Sequence, residues 1–197
     1  MRIGLSEIRP FNRHRPFSAH VQAAHARRID RAVGIGLHSG RKIRLVLRPA
    51  APDTGILFRR VDLSPAVDIP SHPLNVNDTR MATTVNVGRA AVSTIEHMMS
   101  AFNGLGVDNC IVEVNAPEIP IMDGSGASFV YLIHSAKLVE QEAPRRFVRV
   151  LKPVEVHEGD KWAKLEPHEA FGSLSRSISA ILRSTPRSSS PMWTSRR

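Results

Sequence analysis

The residues with the clearest chemical potential lie in one short run, Ser93 to His97. A histidine ring nitrogen can bind a metal ion, and a nearby carboxylate can take a proton from metal-bound water. Adjacent helical side chains project about 100° apart, so Glu96 and His97 cannot point at one spot but can flank it. The run therefore suggests a general base, Glu96, beside a metal ligand, His97.

The same run has a structural alternative. Ser93 with Glu96 three residues later matches a capping box, in which the glutamate side chain returns to the amide of the cap residue. A lone histidine is more often packed or solvated than bound to a metal. From the residues alone, both interpretations stay open.

Two further segments carry polar residues among turn formers. Residues 34–40 are glycine-rich, but they lack the Lys-Ser/Thr pair of a P-loop and the three-glycine dinucleotide spacing. A bend between two strands is the better interpretation, and it leaves His38 without a defined role. Glu118 and Asp123 precede a predicted helix in a proline-containing segment, where surface turn and cap roles explain them.

Hydrophobic periodicity predicts the elements that position these residues. Apolar positions at spacings of three and four predict one helix from Ser93 towards Gly106 and another from Ser125. Strands are predicted at residues 42–47, 55–61, 82–87, 109–114, 147–150, 154–156 and 162–165. Strands before, between and beside two helices predict an α+β fold, a two-layer sandwich of a β-sheet with two helices.

Composition narrows the class of protein. The 197 residues are 42% apolar, which is enough for a core. The single cysteine, Cys110, excludes a disulfide framework and a cysteine-rich zinc finger, and it fits a reducing cytoplasm. No run approaches the ~18 apolar residues of a membrane span, and no secretory signal follows Met1. The sequence predicts a soluble chain without a transmembrane segment.

The net charge of +9 is concentrated in the flanks. Residues 1–28 hold six arginines against one glutamate, and residues 172–197 hold five arginines and no acid. Residues 29–171 then carry a net charge of about −1, as expected for a folded part without a basic face. Both flanks lack sustained apolar periodicity, so disorder is predicted for residues 1–28 and a non-core tail for 172–197.

Seven stretches taken together resemble the UDP-3-O-acyl-N-acetylglucosamine deacetylases, the zinc amidases of lipid A synthesis. They occur in the family's order with near-identical spacing across about residues 29–171, and neither tail takes part. The stretches are VGIGLHSG (33–40), LRPA (47–50), DTR (78–80), VSTIEHMMS (92–100), GLGVDN (104–109), APEIPIMDGS (116–125) and GDKWA (159–163).

The resemblance implies two similar domains, each a β-sheet with two helices of the ribosomal-S5-domain-2-like kind, with the active site between them. On this basis residues 29–143 are the first deacetylase-like domain. Residues 144–171 are the opening strands of an incomplete second domain. The basic segment 1–28 and the Ser/Arg-rich tail 172–197 lie outside the family pattern.

The resemblance also assigns roles to residues. Glu96 matches the general base and His97 the first zinc ligand, which makes capping the lesser role of Glu96. The implied reaction removes the 2-acetamido acetyl group from a UDP-linked acylated glucosamine in the cytoplasm of a Gram-negative bacterium, on a monomeric enzyme. Residues of the implied substrate pocket are His38, Asp78, Thr79, Met81 and Ala82.

The sequence also departs from the family pattern. The family takes two more zinc ligands from a His-x-x-x-Asp motif, and none of the nine histidines has aspartate four residues on. Because a catalytic zinc site needs about three protein ligands, the chain is expected to be truncated and to bind zinc weakly by itself. Ser128 stands where the family usually has proline at the helix start.

Two other functions compete with deacetylation. The chain could be a catalytically inactive fragment or pseudo-enzyme whose exposed apolar surface favours aggregation. Nucleic-acid binding through the basic tails ranks last, because residues 29–171 are near neutral and aromatic residues make up only 5% of the chain. No specific nucleic-acid partner is therefore expected.

Overall fold

The computed structural model describes residues 22–168, in which twelve strands and two α-helices occur. Residues 22–146 belong to one compact unit and residues 147–168 to another. The strands are β1 Gln22–Ala26, β2 Asp30–Ile35, β3 Lys42–Arg48, β4 Ile56–Arg60, β5 Val67–Pro70, β6 Val76–Asp78, β7 Thr84–Val87, β8 Ala90–Val92, β9 Cys110–Val114, β10 Leu138–Pro144, β11 Val154–Glu158 and β12 Lys161–Leu165. The helices are α1 Glu96–Leu105 and α2 Ala127–Ala136.

A five-stranded sheet forms the centre of the first unit, in the order β2-β3-β9-β4-β5. Its neighbours are antiparallel except β4 and β9, which run parallel. Leu47 pairs with Val112, and Val112 pairs with Phe58 on its other side. All three side chains are fully buried, so alternation along each strand and register across the sheet produce one continuous apolar face.

Both helices contribute to the core cluster that covers this face. On α1 the buried positions Met98, Ala101 and Phe102 follow helical spacing, and on α2 Phe129 and Ile133 do the same. The predicted α+β architecture with two helices is confirmed.

Three smaller β-structures complete the two units. Strands β6, β7 and β8 form an antiparallel sheet, β1 pairs with β10, and β11 pairs with β12 in a hairpin.

Strand β1 lies within residues 1–28, for which disorder was predicted, so that prediction is wrong for Gln22–Ala26. Its sequence QAAHA has small residues and no alternation, and the strand depends on pairing with the distant β10. Residues 1–21 lie outside the described residues.

Both helices begin later than predicted. Helix α1 starts at Glu96 rather than Ser93, and α2 starts at Ala127 rather than Ser125. Gly106 ends α1 in the left-handed conformation with a φ of 71°, as its position predicts. Residues 147–150, predicted as a strand, form none of the strands of the structure.

The second unit is described for residues 147–168 by its β11–β12 hairpin, which turns at Gly159 with a φ of 60°. Trp162 is 65% exposed and Leu165 is 58% exposed. Neither helix within residues 22–168 has the length and apolar composition that a membrane crossing requires.

Cys110 gives a direct test of the core. Its side chain is fully buried, and burial raises the pKa of the thiol to about 12. Because the thiolate is the reactive form, we expect a disulfide reagent such as DTNB to leave the native chain unmodified at pH 8. The same chain in denaturant should react with one equivalent. Rapid labelling of the native chain would contradict this packing.

Candidate functional site

Glu96 is the first residue of α1 and is half-buried. Its Oε2 accepts a hydrogen bond from the amide of Thr83, at 3.0 Å. The Ser93 hydroxyl donates instead to the carbonyl oxygen of Pro117, at 3.1 Å. No side-chain hydrogen bond caps α1, so the capping-box alternative is wrong. The Glu96 carboxylate is therefore held through Oε2 by a segment outside α1.

His97 follows on the same turn and is also half-buried. The next residue, Met98, is fully buried, so helical geometry turns His97 about 100° away from the core. A Cβ atom built on Gly126 would lie 3.9 Å from the carbonyl oxygen of His97, which brings the start of α2 close to this turn. The backbone at His97 is therefore next to the start of α2.

The segment predicted to wall the pocket runs from the end of β6 towards Glu96. Asp78 makes an ion pair with Arg80 at 2.7 Å, and the side-chain and backbone hydrogen bonds from Arg80 hold the pKa of Asp78 below its usual value. Thr79 and Met81 are exposed, and Ala82 is half-buried. The next residue is Thr83, which donates to Glu96, so the structure brings this segment to the start of α1.

His38 lies in the β2–β3 bend and has no direct hydrogen bond to Glu96. Its side chain is exposed, and its amide donates to Oε1 of Glu118 at 2.9 Å. The predicted strand-bend-strand structure is confirmed, because β2 and β3 pair on either side of it. Glu118 connects the bend at His38 to Thr94, two residues before Glu96.

Glu118 was given a surface turn role, and that interpretation is wrong because the residue is 2% exposed. Burial alone would raise the pKa of its carboxyl group, but hydrogen bonds from His38 and Ser39 outweigh it, so the pKa lies below the usual value. A signal was present in the sequence. Val112, Val114 and Ala116 precede Glu118 at a spacing of two, and all are buried.

The turn role predicted for Asp123 is confirmed, but the cap role is not, because no side-chain hydrogen bond caps α2. It is exposed, and its Oδ1 accepts hydrogen bonds from the amide and hydroxyl of Ser125, at 3.1 and 3.0 Å. The Ser125 hydroxyl accepts in turn from the amide of Ala127, at 3.1 Å. These contacts organise the start of α2.

The contacts of Glu118 leave no space for a side chain at Gly36. A Cβ atom at this position would overlap Oε2 of Glu118 and Oγ of Ser39. We expect Gly36→Ala to lower the free energy of unfolding by about 1–3 kcal/mol, measured by urea denaturation. The control is Gly104→Ala, because Gly104 is in α1 with nothing within 4 Å of its Cβ position. That change should raise stability by up to about 1 kcal/mol, and equal effects of both changes would contradict the overlap.

A metal site is only partly represented in the described residues. Within residues 22–168, no group of three or more His, Cys, Asp or Glu side chains is arranged to hold a metal ion. His97 is available as one ligand beside a carboxylate. Since a catalytic zinc ion needs about three protein ligands, residues 22–168 do not fit a complete zinc site.

A family model and a curated relative are both similar to this chain. A family model described as UDP-3-O-acyl N-acetylglycosamine deacetylase matches residues 26–183. This match extends past residue 171, where the sequence interpretation ended the family-like part, and residues 169–183 lie outside the described structure. The UDP-3-O-acyl-N-acetylglucosamine deacetylase of Methylococcus capsulatus is 56% identical over 143 residues. These are 73% of this chain and 47% of that relative, so the chain spans about half of its length.

Proposed function

Because this chain belongs to the UDP-3-O-acyl N-acetylglycosamine deacetylase family, we propose that it supplies part of an active site for that reaction. The substrate is UDP-3-O-acyl-N-acetylglucosamine, the reaction is hydrolysis of its N-acetyl group, and the setting is lipid A synthesis in the cytoplasm. The observation that supports this most directly is the position of Glu96, whose carboxylate is fixed beside His97 by the amide of Thr83.

Glu96 is the proposed general base. One oxygen accepts the hydrogen bond from Thr83, which fixes the orientation of the carboxylate and leaves the other oxygen for a water molecule. Glu96 takes a proton from the water, whose oxygen attacks the acetamide carbonyl carbon. Cleavage of the C–N bond then releases acetate and the amino sugar, which receives a proton. A fixed general base contributes about 10²–10⁴-fold to the rate of such a reaction.

Zinc is the proposed cofactor and His97 one of its ligands. A zinc ion supplies Lewis-acid chemistry and lowers the pKa of bound water. The other ligands must come from outside residues 22–168, since that part of the chain presents no group of three ligating side chains. We therefore expect residues 22–168 to contribute one imidazole and the base.

The proposed substrate pocket includes the bend at His38 and residues 78–82. Met81 is 80% exposed and presents apolar surface close in sequence to Thr83 and the base. The ion pair of Asp78 with Arg80 orders the start of this segment. We propose that these residues contact substrate and that the chain acts as a monomer.

The test measures zinc content and acetate release by the purified chain, with Glu96→Ala as the control. We expect less than one equivalent of zinc and little acetate release, because one recognised ligand binds zinc weakly. Stoichiometric zinc with acetate release that depends on Glu96 would show that further ligands lie in this chain and contradict the proposed division of the site.

A second candidate is a catalytically inactive member of the family. The observation that favours it is again the incomplete ligand set within the described residues. The two candidate functions can be distinguished when a relative supplies the missing half of the active site. Activity is then expected only if the base and the metal ligand of this chain are functional. That experiment is the first one in the Discussion.

A further inference from the structure

Glu118 joins two parts of the candidate site that are far apart in sequence. We propose that it is a positioning residue, whose carboxylate holds the bend at His38 and the start of α1 in one arrangement. The inference rests on the proposed function only in taking the start of α1 as the position of the base. The family resemblance gave Glu118 no role.

Both oxygens of the carboxylate are used. Oε1 accepts from the amide of His38 at 2.9 Å and from the hydroxyl of Thr94 at 3.3 Å. Oε2 accepts from the amide of Ser39 at 3.0 Å. The carboxylate is buried, so water cannot readily replace these donors. The group therefore bridges the bend and the residue two positions before Glu96.

The backbone of the same segment is fixed to the residue before Thr94. Ser93 accepts a hydrogen bond from the amide of Ile119 and donates its own amide to Pro117, both at 3.0 Å. Glu118 thus lies between two backbone hydrogen bonds to Ser93, and its side chain reaches the adjacent Thr94. A movement of Glu118 would be transmitted to the chain that enters α1.

Thr94 has an unusual conformation. Its φ is 58°, in the left-handed region that β-branched residues rarely adopt, and it is 2% exposed. Such a conformation persists only when several surrounding contacts impose it. The hydrogen bond to Glu118 is one such contact, and Thr94 sets the direction in which Ile95 and Glu96 leave it.

The consequence for the site is geometric. The bend carries His38, an exposed side chain of the proposed substrate pocket, and α1 carries the proposed base. Glu118 holds together the two segments that carry these groups, and it is itself buried. It acts through Thr94 and the bend and does not contact substrate.

The test uses nuclear magnetic resonance on the ¹⁵N-labelled full chain. In Glu118→Gln, one acceptor oxygen becomes an NH₂ donor that faces a backbone amide. We expect amide hydrogen exchange at His38 and Ser39 to become about tenfold faster. The informative reporter is Thr83, whose amide donates to Glu96 and does not contact Glu118. Its chemical shift should change, and its exchange should also become faster.

The matched control is Glu113→Gln. Glu113 is on β9, is mostly buried and pairs with Arg48 at 2.6 Å, on a different part of the sheet. This change should leave His38, Ser39 and Thr83 at their wild-type values. If Glu118→Gln alters the bend but leaves Thr83 unchanged, Glu118 anchors only the bend and the proposal is overturned.

A second pair of variants covers the case in which Glu118→Gln does not fold. Thr94→Val removes the hydroxyl at nearly constant shape, and Thr94→Ser retains it. We expect the Thr83 signal to change in Thr94→Val and to return in Thr94→Ser. Equal Thr83 signals in both variants would overturn the proposal. None of these readouts uses acetate release, so a failure of the proposed function would not be mistaken for a failure here.

Discussion

Glu96→Gln is expected to lower the rate of acetate release by about 10²–10⁴-fold in a chimera that contains both halves of the active site. In this chimera, residues 26–168 of the chain replace the equivalent segment of the Methylococcus capsulatus relative, which is 56% identical over the matched residues. Glutamine keeps the shape of the side chain and can still accept from Thr83, but it cannot accept a proton. The loss should therefore appear in kcat rather than KM.

The control for this experiment is Glu113→Gln in the same chimera. Glu113 lies on β9 and pairs with Arg48, so its neutralisation should leave kcat close to that of the parent chimera. A parent chimera that folds and binds zinc but releases no acetate would support the inactive-member alternative. Full activity in Glu96→Gln would exclude Glu96 as the base.

The largest expected effect on stability comes from Phe102→Ala. Phe102 is 1% exposed on the buried face of α1 and belongs to the core cluster between the helices and the five-stranded sheet. Its removal leaves a cavity, and we expect a loss of about 3–5 kcal/mol in the free energy of unfolding, measured by urea denaturation. For a domain of ordinary stability this is a large fraction of the total.

Tyr131→Ala is the matched aromatic control. Tyr131 is on α2 and is 76% exposed, so the change should alter the free energy of unfolding by no more than about 0.5 kcal/mol. A similar loss in both variants would mean that Tyr131 is covered by a contact absent from the described structure. A small loss in Phe102→Ala would mean that the core between helix and sheet is loosely packed.

The sequence predicted the elements whose pattern is local. Alternation at residues 42–47 and the β-rich composition of residues 109–114 correspond to β3 and β9. The glycine after Leu105 ends α1 as expected. Strand β1 was missed because its sequence has no alternation, and its pairing with β10 is a long-range contact. Hydrophobic periodicity and capping residues give information only about residues that are close in sequence. They therefore do not predict the pairing of distant strands.

The candidate site shows the same limit. The run Ser93 to His97 drew attention to Glu96, but its local pattern also predicted a capping box that does not form. The Glu96 carboxylate instead accepts a hydrogen bond from the amide of Thr83, thirteen residues earlier in the chain. Glu118 was misjudged for a related reason. Prolines at 117 and 120 indicate a turn, whereas its burial follows from the bend some 80 residues earlier.

The parallel pairing of β4 with β9 has a consequence for the order of folding. Phe58 pairs with Val112 although 54 residues separate them, so the loop-closure entropy must be overcome before this pair forms. Asp78, Glu96 and His97 all lie within the connection between the two strands. The proposed base and the proposed ligand therefore lie in the loop that this pairing closes. We expect them to reach their final positions only when the distant strands have paired.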